Sequence, residues 1–374
     1  MSKLFAAVIL ACNEQEVLPR LLDSIADVAE LYISVDEASI DQTEAIAHQY
    51  TEHVYTHNLA AAPGGWAEVR NGLQERAEEA SALDWFAWLD PDEWLAEGKA
   101  GLTRVFAKAE ELKRTGLMVR MVDIPAGAEP GVRGATWQNC KFFKRGQRFA
   151  RRRHEHLPVG EPRATCLQLV IHHQKLQRQD VQERCAALKT DLAALQEDWH
   201  EWHDMRAAYY LGEAFLQSGD VPTAMLWLQQ GLTLPETIAG ARSQLHAGEF
   251  AGHRKLHNYE DAVRATHARW ACDWRDGRDC AWQLGSVAAD EGQYDAAEYW
   301  FRTVLAMPET EPGLNQVLSS SPVELANFGL AFTFARRGKL TEAHNYLRVA
   351  ERFGPRPEYQ ALRAQLVEAV KQSG

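Results

Sequence analysis

At about residue 178 the periodicity of this chain changes, and no other feature limits its fold as strongly. Upstream, short apolar runs alternate with helical patterns. "LFAAVILAC" and "LYISVD" read as buried strands, and between them Val17, Leu18, Leu21, Leu22 and Ile25 recur at helical spacing. A second helical stretch, "TEAIAHQYTE", precedes the short strand "HVYTHN"; a longer one, "GWAEVRNGLQERAEEAS", leads into "LDWFAWLD". This β-α-β-α-β-α-β order predicts a mostly parallel sheet covered by helices on both faces. Sheets of that kind bind ligands beyond the carboxyl ends of their strands. Downstream the patterns are helical only, and one sub-pattern recurs. A turn glycine (Gly219, Gly292, Gly338) precedes an alanine by five residues (Ala224, Ala297, Ala343), and a proline follows eleven or twelve residues later. A weaker copy keeps Ala262 but carries His257 in place of the glycine.

A chain of 374 residues exceeds one compact core and suits two domains, placed here at 1–177 and 178–374. The recurring pattern resembles tetratricopeptide (TPR) repeats, helix pairs of about 34 residues that stack into a solenoid. A generic helical bundle is the plainer alternative. In either case Trp227, Trp282, Trp300 and Tyr346 read as packing between helices. The six cysteines (12, 140, 166, 185, 272, 280) form neither a CxxC nor a disulfide framework, so reduced thiols and a cytoplasmic location are expected. The opening "MSKLFAAVILACNE" reads as a first strand, not a signal peptide, and no apolar run is long enough to span a membrane. A net charge of −12 disfavours unspecific binding of nucleic acid or anionic membrane by the whole molecule.

The strongest chemical signal is "WFAWLDPDEWL", where an apolar strand ends in carboxylates. Side chains alternate along a strand, so Asp90 and Asp92 can point the same way, with Pro91 stiffening the backbone between them. Such a pair suits a hard divalent cation, magnesium or manganese, that shares its coordination sphere with substrate phosphates. An isolated Asp-x-Asp is also what a solvated strand end looks like.

"VILACNEQEVLPRLLDSI", "YISVDEASIDQTEAIA", "GGWAEVRNGLQERA" and "DWFAWLDPDEWL" occur in order and at familiar distances. Together they resemble the catalytic domain of inverting family 2 glycosyltransferases, over residues 3–175. The branch that joins this domain to TPR-like repeats includes bacterial peptide S-glycosyltransferases. The resemblance implies a GT-A fold (Rossmann-like, α/β) followed by an all-α repeat domain. It also implies a metal-dependent transfer from a nucleotide-diphosphate sugar, expected to be UDP-linked. Ala11, Asn13 and Glu14 then resemble the segment lining the nucleoside, and Asp36 the acid that contacts the base. Ala38 stands where the family often has glycine, and Asp41 reads as the cap of the next helix. Arg70 and Asn71 match an Arg-Asn pair, with Arg70 facing a phosphate or a neighbouring acid. By the same resemblance Asp92 is the direct metal ligand, Asp90 faces the ribose or donor sugar as well as the metal, and Glu93 supports them. "LVIHHQ" matches a strand ending in a histidine near the metal: His172 is the expected ligand, with His173 the fallback. The candidates for the catalytic base are Glu155, Asp123 and His154, in that order.

Lys141, Lys144, Arg145, Arg148, Arg151, Arg152 and Arg153 crowd thirteen residues of an otherwise acidic chain. They read as a diphosphate clamp plus a solvated strand face, or as a strip for an anionic acceptor such as DNA bearing hydroxylated bases. Phe142, Phe143 and Phe149 interleave with them, either as stacking surfaces or as the buried side of a strand. The acceptor is thus left between a peptide, a protein and another biopolymer, and the repeats between gripping it and forming a homodimer. A dead scaffold is the non-enzyme alternative. A nucleotidyltransferase would need a glycine-rich phosphate loop, which "ACNEQEV" is not.

Overall fold

The computed structural model describes residues 2–152, 157, 163–174, 181–308 and 321–373. They divide into two units, one of residues 1–122 with 138–176, the other of residues 123–137 with 177–374.

In the first unit, β1 (Phe5–Ala11) is fully buried and is flanked by β2 (Ala29–Asp36) and β4 (Trp85–Trp88), both parallel to it. The strand β3 (Val54–His57) extends the parallel ladder beyond β2, pairing His57 with Asp36. The expected alternation supplies the connections: α1 (Leu18–Ile25), α2 (Thr43–Tyr50) and α3 (Gly65–Ala80). α1 buries Leu18, Leu21, Leu22 and Ile25, the stripe its spacing predicts. The strands β5 (Glu93–Glu97), β6 (Gly116–Asp123), β7 (Thr136–Lys144) and β8 (Ala164–His173), with α4 (Leu102–Glu111) between β5 and β6, complete the sheet. Its order is β3-β2-β1-β4-β7-β6-β8-β5. The sheet is therefore mixed: β4 meets β7 antiparallel, and β8 meets β5 antiparallel. Phe142 and Phe143 point to opposite faces. Phe142 packs on Phe5 and Phe106, whereas Phe143 packs on Phe149. Both are buried, as is Phe149.

The second unit is built on helical hairpins. These are α6 (Met205–Ser218) with α7 (Val221–Leu232), α8 (Ala241–Lys255) with α9 (Tyr259–Cys272), α10 (Gly277–Asp290) with α11 (Tyr294–Ala306), and α12 (Pro322–Arg336) with α13 (Leu340–Glu351). α5 (Val181–Trp202) precedes them and α14 (Pro357–Ser373) follows. The recurring residues take the roles their spacing predicts. Gly219, Gly292 and Gly338 turn the chain with φ of +89°, +75° and +70°, and His257 makes the same left-handed turn at +55°. Ala224, Ala262, Ala297 and Ala343 have no exposed surface, which lets each pair of helices close. Phe301 fills the space that Gly285 and Gly329 leave open; a methyl at either position would collide with its ring. The aromatic residues pack as expected, with Trp227 against Trp199 and Tyr346 stacked on Phe334. Helices α8, α10 and α12 line a groove of about 630 Å³ walled by Phe250, Trp282 and Phe332.

One charged cluster holds α8, α9 and α10 together. The fully buried Arg269 donates to Asp276 at 3.2 Å and Asp279 at 2.9 Å, and Ser243 donates to Asp276. Burial opposes the charge on Arg269, but the two aspartates outweigh it and raise its affinity for its proton. Removing one partner strands the others, so Arg269→Ala should cost about 3–5 kcal/mol in urea unfolding of the helical unit. A loss well under this would mean that water enters and replaces the guanidinium.

Candidate functional site

The carboxyl ends of β1, β2 and β4 lie side by side, because these strands are parallel neighbours. Two loops at this edge are laced together. Asn13, held at φ +55°, donates its backbone N–H to Ser39 Oγ and accepts from the Ile40 N–H through its side chain. The Glu14 N–H donates to Thr43 Oγ1. Asp41 accepts from Gln15 N–H at 3.1 Å and Thr43 N–H at 2.9 Å. The N-cap of α2 is Gln42, so Asp41 ties two loops as much as it finishes a helix. Burial would raise its pKa, but these donors outweigh burial and lower it. The loop takes no positive φ at Ala38, so alanine meets no steric conflict where the family often has glycine. Asp36 is fixed by the N–H groups of Ala38 and Leu59, with His57 Nε2 3.3 Å from its carboxylate. Ala11 is buried at the end of β1.

The acidic stretch forms a tight turn. Glu93 N–H donates to the Asp90 carbonyl at 3.0 Å, and Asp90 N–H donates back to Glu93 Oε2 at 3.0 Å. From beneath, Arg70 Nη2 lies 3.2 Å from Asp90 Oδ1, while Lys141 Nζ lies 3.8 Å from Asp90 Oδ2 and 2.7 Å from Glu93 Oε1. Lys141 has no exposed surface and caps the Trp88 ring at 3.3 Å. Burial favours protonated Asp90, but Lys141 and Arg70 outweigh it and lower its pKa. Burial raises the pKa of Glu93, with Lys141 opposing.

Asp92 has a different neighbour. β8 brings His173 opposite Glu93, with Nε2 3.5 Å from Asp92 Oδ2, and Gln174 N–H donates to the Asp92 carbonyl. Strand alternation turns His172 the other way, edge-on against Trp94 at 5.2 Å. The fallback histidine, not the preferred one, stands beside Asp92. Burial raises the Asp92 pKa; His173 works against it and Asp90 with it.

The basic strip is largely consumed within the protein. Lys144 pairs with Glu110. Arg145 donates to the carbonyls of Glu78, Ser81 and Leu83, and Arg148 reaches Glu78 at 2.8 Å. Arg151 is buried at φ +81°, and the Arg152 carbonyl accepts from Trp66 N–H. Asn71 brackets the backbone of Phe149, accepting its N–H and donating to its carbonyl. Buried phenylalanines and cations bonded to carbonyls leave little of the exposed stacking strip that a DNA acceptor would use. Arg153, His154 and Glu155 lie outside the described residues. Asp123 ends β6 within the second unit, where its charge acts on Glu324.

Two side chains at this edge escape a reading by motif. Lys141 stands in an apolar strand, "CKFF", at a position facing inward, and His57 pairs with Asp36 only through the β2–β3 register. A cation among apolar residues is the one signal the chain offers for the first.

Fold and site together define an α/β domain with an acidic turn at the carboxyl edge of its sheet, joined to helical repeats. Residues 6–166 match the family described as Glycosyl transferase family 2, so this part of the chain is similar to the glycosyltransferases of that family. A TPR repeat-containing protein of Synechococcus elongatus is 28% identical over 234 residues, covering 59% of this chain and 54% of the relative. The chain thus spans about half the length of that relative. Among solved structures, TTC0263, a thermophilic TPR protein of Thermus thermophilus, is 20% identical with a TM-score of 0.38, covering 51% of this chain and 95% of its own. MamA is 14% identical with a TM-score of 0.33, covering 53% and 98%. No described helix is long and apolar enough to cross a membrane.

Glu78 yields a pH prediction. Burial would raise its pKa, but Arg148, Gln74 and the Gly146 N–H outweigh burial and bring it to about 2. A carboxyl more acidic when folded stabilises fully above its ordinary value of 4.5 and loses that contribution as pH falls through about 2. Glu78→Gln should therefore unfold at a lower temperature at neutral pH and lose less between pH 4.5 and 2 than the parent protein. Parallel acid profiles would remove Glu78 as a source of acid sensitivity.

Proposed function

We propose that this protein transfers a sugar from a nucleotide-diphosphate donor, UDP-linked, to a biopolymer acceptor with inversion at the anomeric carbon. The observation that carries this reading is the turn of Asp90, Pro91 and Asp92, set on a buried strand between Arg70 and His173, beside the laced loops of Asn13 and Asp36.

The donor set fits a hard divalent ion. One carboxylate, Asp92, and one imidazole, His173, stand within reach of a common ion, and both suit manganese or magnesium. No group of three His, Cys, Asp or Glu side chains with metal-ligating geometry occurs among the described residues, so diphosphate oxygens and water would complete the sphere. Asp92 and His173 would hold the ion, which when bound supplies positive charge against the departing diphosphate. Asp90 has both oxygens turned to cations, which suits it to accept hydrogen bonds from ribose or sugar hydroxyls rather than to ligate. Asp36, Asn13 and Glu14 line the nucleoside end. Glu155 takes the acceptor's proton, with Asp123 and His154 as the lesser candidates. The acceptor atom bonds to the anomeric carbon as the bond to the diphosphate oxygen breaks, and the diphosphate leaves with the electron pair.

A peptide or protein is the acceptor we place first, since the helical hairpins line a groove walled by Phe250, Trp282 and Phe332. A cytoplasmic location accords with five described cysteines that are free thiols. Titration of the protein with manganese and a panel of nucleotide sugars should give saturable heat for one donor. Asp92→Ala should abolish it and the turnover with the fold intact. A wild-type protein that binds no nucleotide sugar defeats the enzyme reading in favour of a scaffold. Incubation with lysate peptides and with hydroxylated DNA, followed by mass spectrometry, should add a hexose-sized mass to a peptide; a mass on the DNA alone would reverse that choice of acceptor.

A further inference from the structure

We propose that Lys141 is a positioning residue of this donor site, acting on Asp90 from below the sheet edge. The inference rests on the donor-site reading above. Lys141 lies within the basic run of the sequence, yet its partners are the carboxylates of the acidic turn. Its ammonium has no exposed surface, lies 3.3 Å above the Trp88 ring, and faces Glu93 at 2.7 Å and Asp90 at 3.8 Å. Trp88 is itself pinned, its Nε1–H donating to the Cys140 carbonyl at 2.7 Å. The ammonium is thus bounded on its aromatic side by a ring that this hydrogen bond holds in place.

Lys141 and Glu93 have separate geometric roles. Glu93 closes the turn, because one of its oxygens accepts the Asp90 N–H while the other meets Lys141. Lys141 meets the second oxygen of Asp90, and Arg70 meets the first. With a cation opposite each oxygen, the carboxylate plane of Asp90 has one favoured orientation, and its remaining lone pairs face outward. Arg70 alone would leave that plane free to rotate. The Asp90 side chain is 39% exposed, so water competes at its outer side and the buried cations must set its direction from the inner one.

A bland alternative is that Lys141 merely neutralises the buried Glu93. The test separates the two. Manganese(II) is titrated calorimetrically with whichever of UDP, GDP, ADP and dTDP binds best, and bound manganese is followed by electron paramagnetic resonance. The proteins are wild type, Glu93→Gln, and Glu93→Gln combined with Lys141→Met. The double variant lacks both members of the buried pair, so its fold carries no stranded charge. Positioning of Asp90 by Lys141 predicts that the double variant binds about 10–100-fold more weakly than Glu93→Gln alone. It also predicts an altered manganese spectrum at an unchanged far-ultraviolet circular dichroism spectrum. Equal affinities for the two variants would overturn the inference and leave the donor site standing. Wild-type protein that takes up none of the four diphosphates would overturn the donor site and this inference together. If the double variant does not fold, Lys141→Arg decides, because it keeps the charge that neutralises Glu93 but not the position of the ammonium: weaker binding by the folded variant with an altered manganese spectrum supports positioning, and wild-type affinity with an unchanged spectrum overturns it.

Discussion

Carboxylates drawn out of water at the end of an apolar strand are tolerated only where cations are buried beside them. Taking an ion out of water costs several kcal/mol even after relaxation. Here Arg70 and Lys141, 3% and 0% exposed, stand beneath Asp90 and Glu93. Everything nearby follows from that pairing. α3 must run where Arg70 can reach the turn, β7 must carry Lys141 next to β4, and the Trp88 ring must face both cations. The buried strand and the polar turn are two halves of one device, in which the apolar part gives rigidity to the charged part.

The division of labour between the two aspartates has the same origin. Asp90 is held by cations and Asp92 faces an imidazole, so two residues of one type and two positions apart meet unlike surroundings. Burial pulls the two proton affinities the same way, and the neighbours separate them: lowered for Asp90, raised for Asp92. In the proposed reading, sugar hydroxyls would meet the first carboxylate and a metal-bound diphosphate the second, a use that needs this asymmetry. The loops above it are fixed by side chain to backbone bonds, not by regular structure, which is why Asn13, Ser39, Asp41 and Thr43 all appear there.

The helical unit obeys a simpler rule. Alanine at the closest approach of two helices and a left-handed residue at the turn recur because every hairpin solves the same packing problem. His257 does so without glycine, at some conformational cost. Phe301 shows the other side of the rule, since its ring needs the absent side chains of Gly285 and Gly329.

Local chemistry alone determined much of this protein. Hydrophobic periodicity placed β1, α1, β2 and α3, the Gly-Ala-Pro spacing marked the hairpins, and the apolar run into Asp90 and Asp92 pointed to the site. These signals are short-range, and a period or a turn is written within a few residues. The strands β5 and β7 carried no comparable pattern, because their antiparallel partners, β8 and β4, are distant in the chain. The same distance hid the rest. Whether His172 or His173 meets Asp92 depends on the β5–β8 register, and only that pairing turned His173 inward. Whether seven cations form a surface depends on which carboxylates and carbonyls fold back to meet them. Lys141 looked like one charge in a basic run, and only the closure of β4 against β7 buried it beneath Asp90, because the energy of a charge depends on what surrounds it in three dimensions.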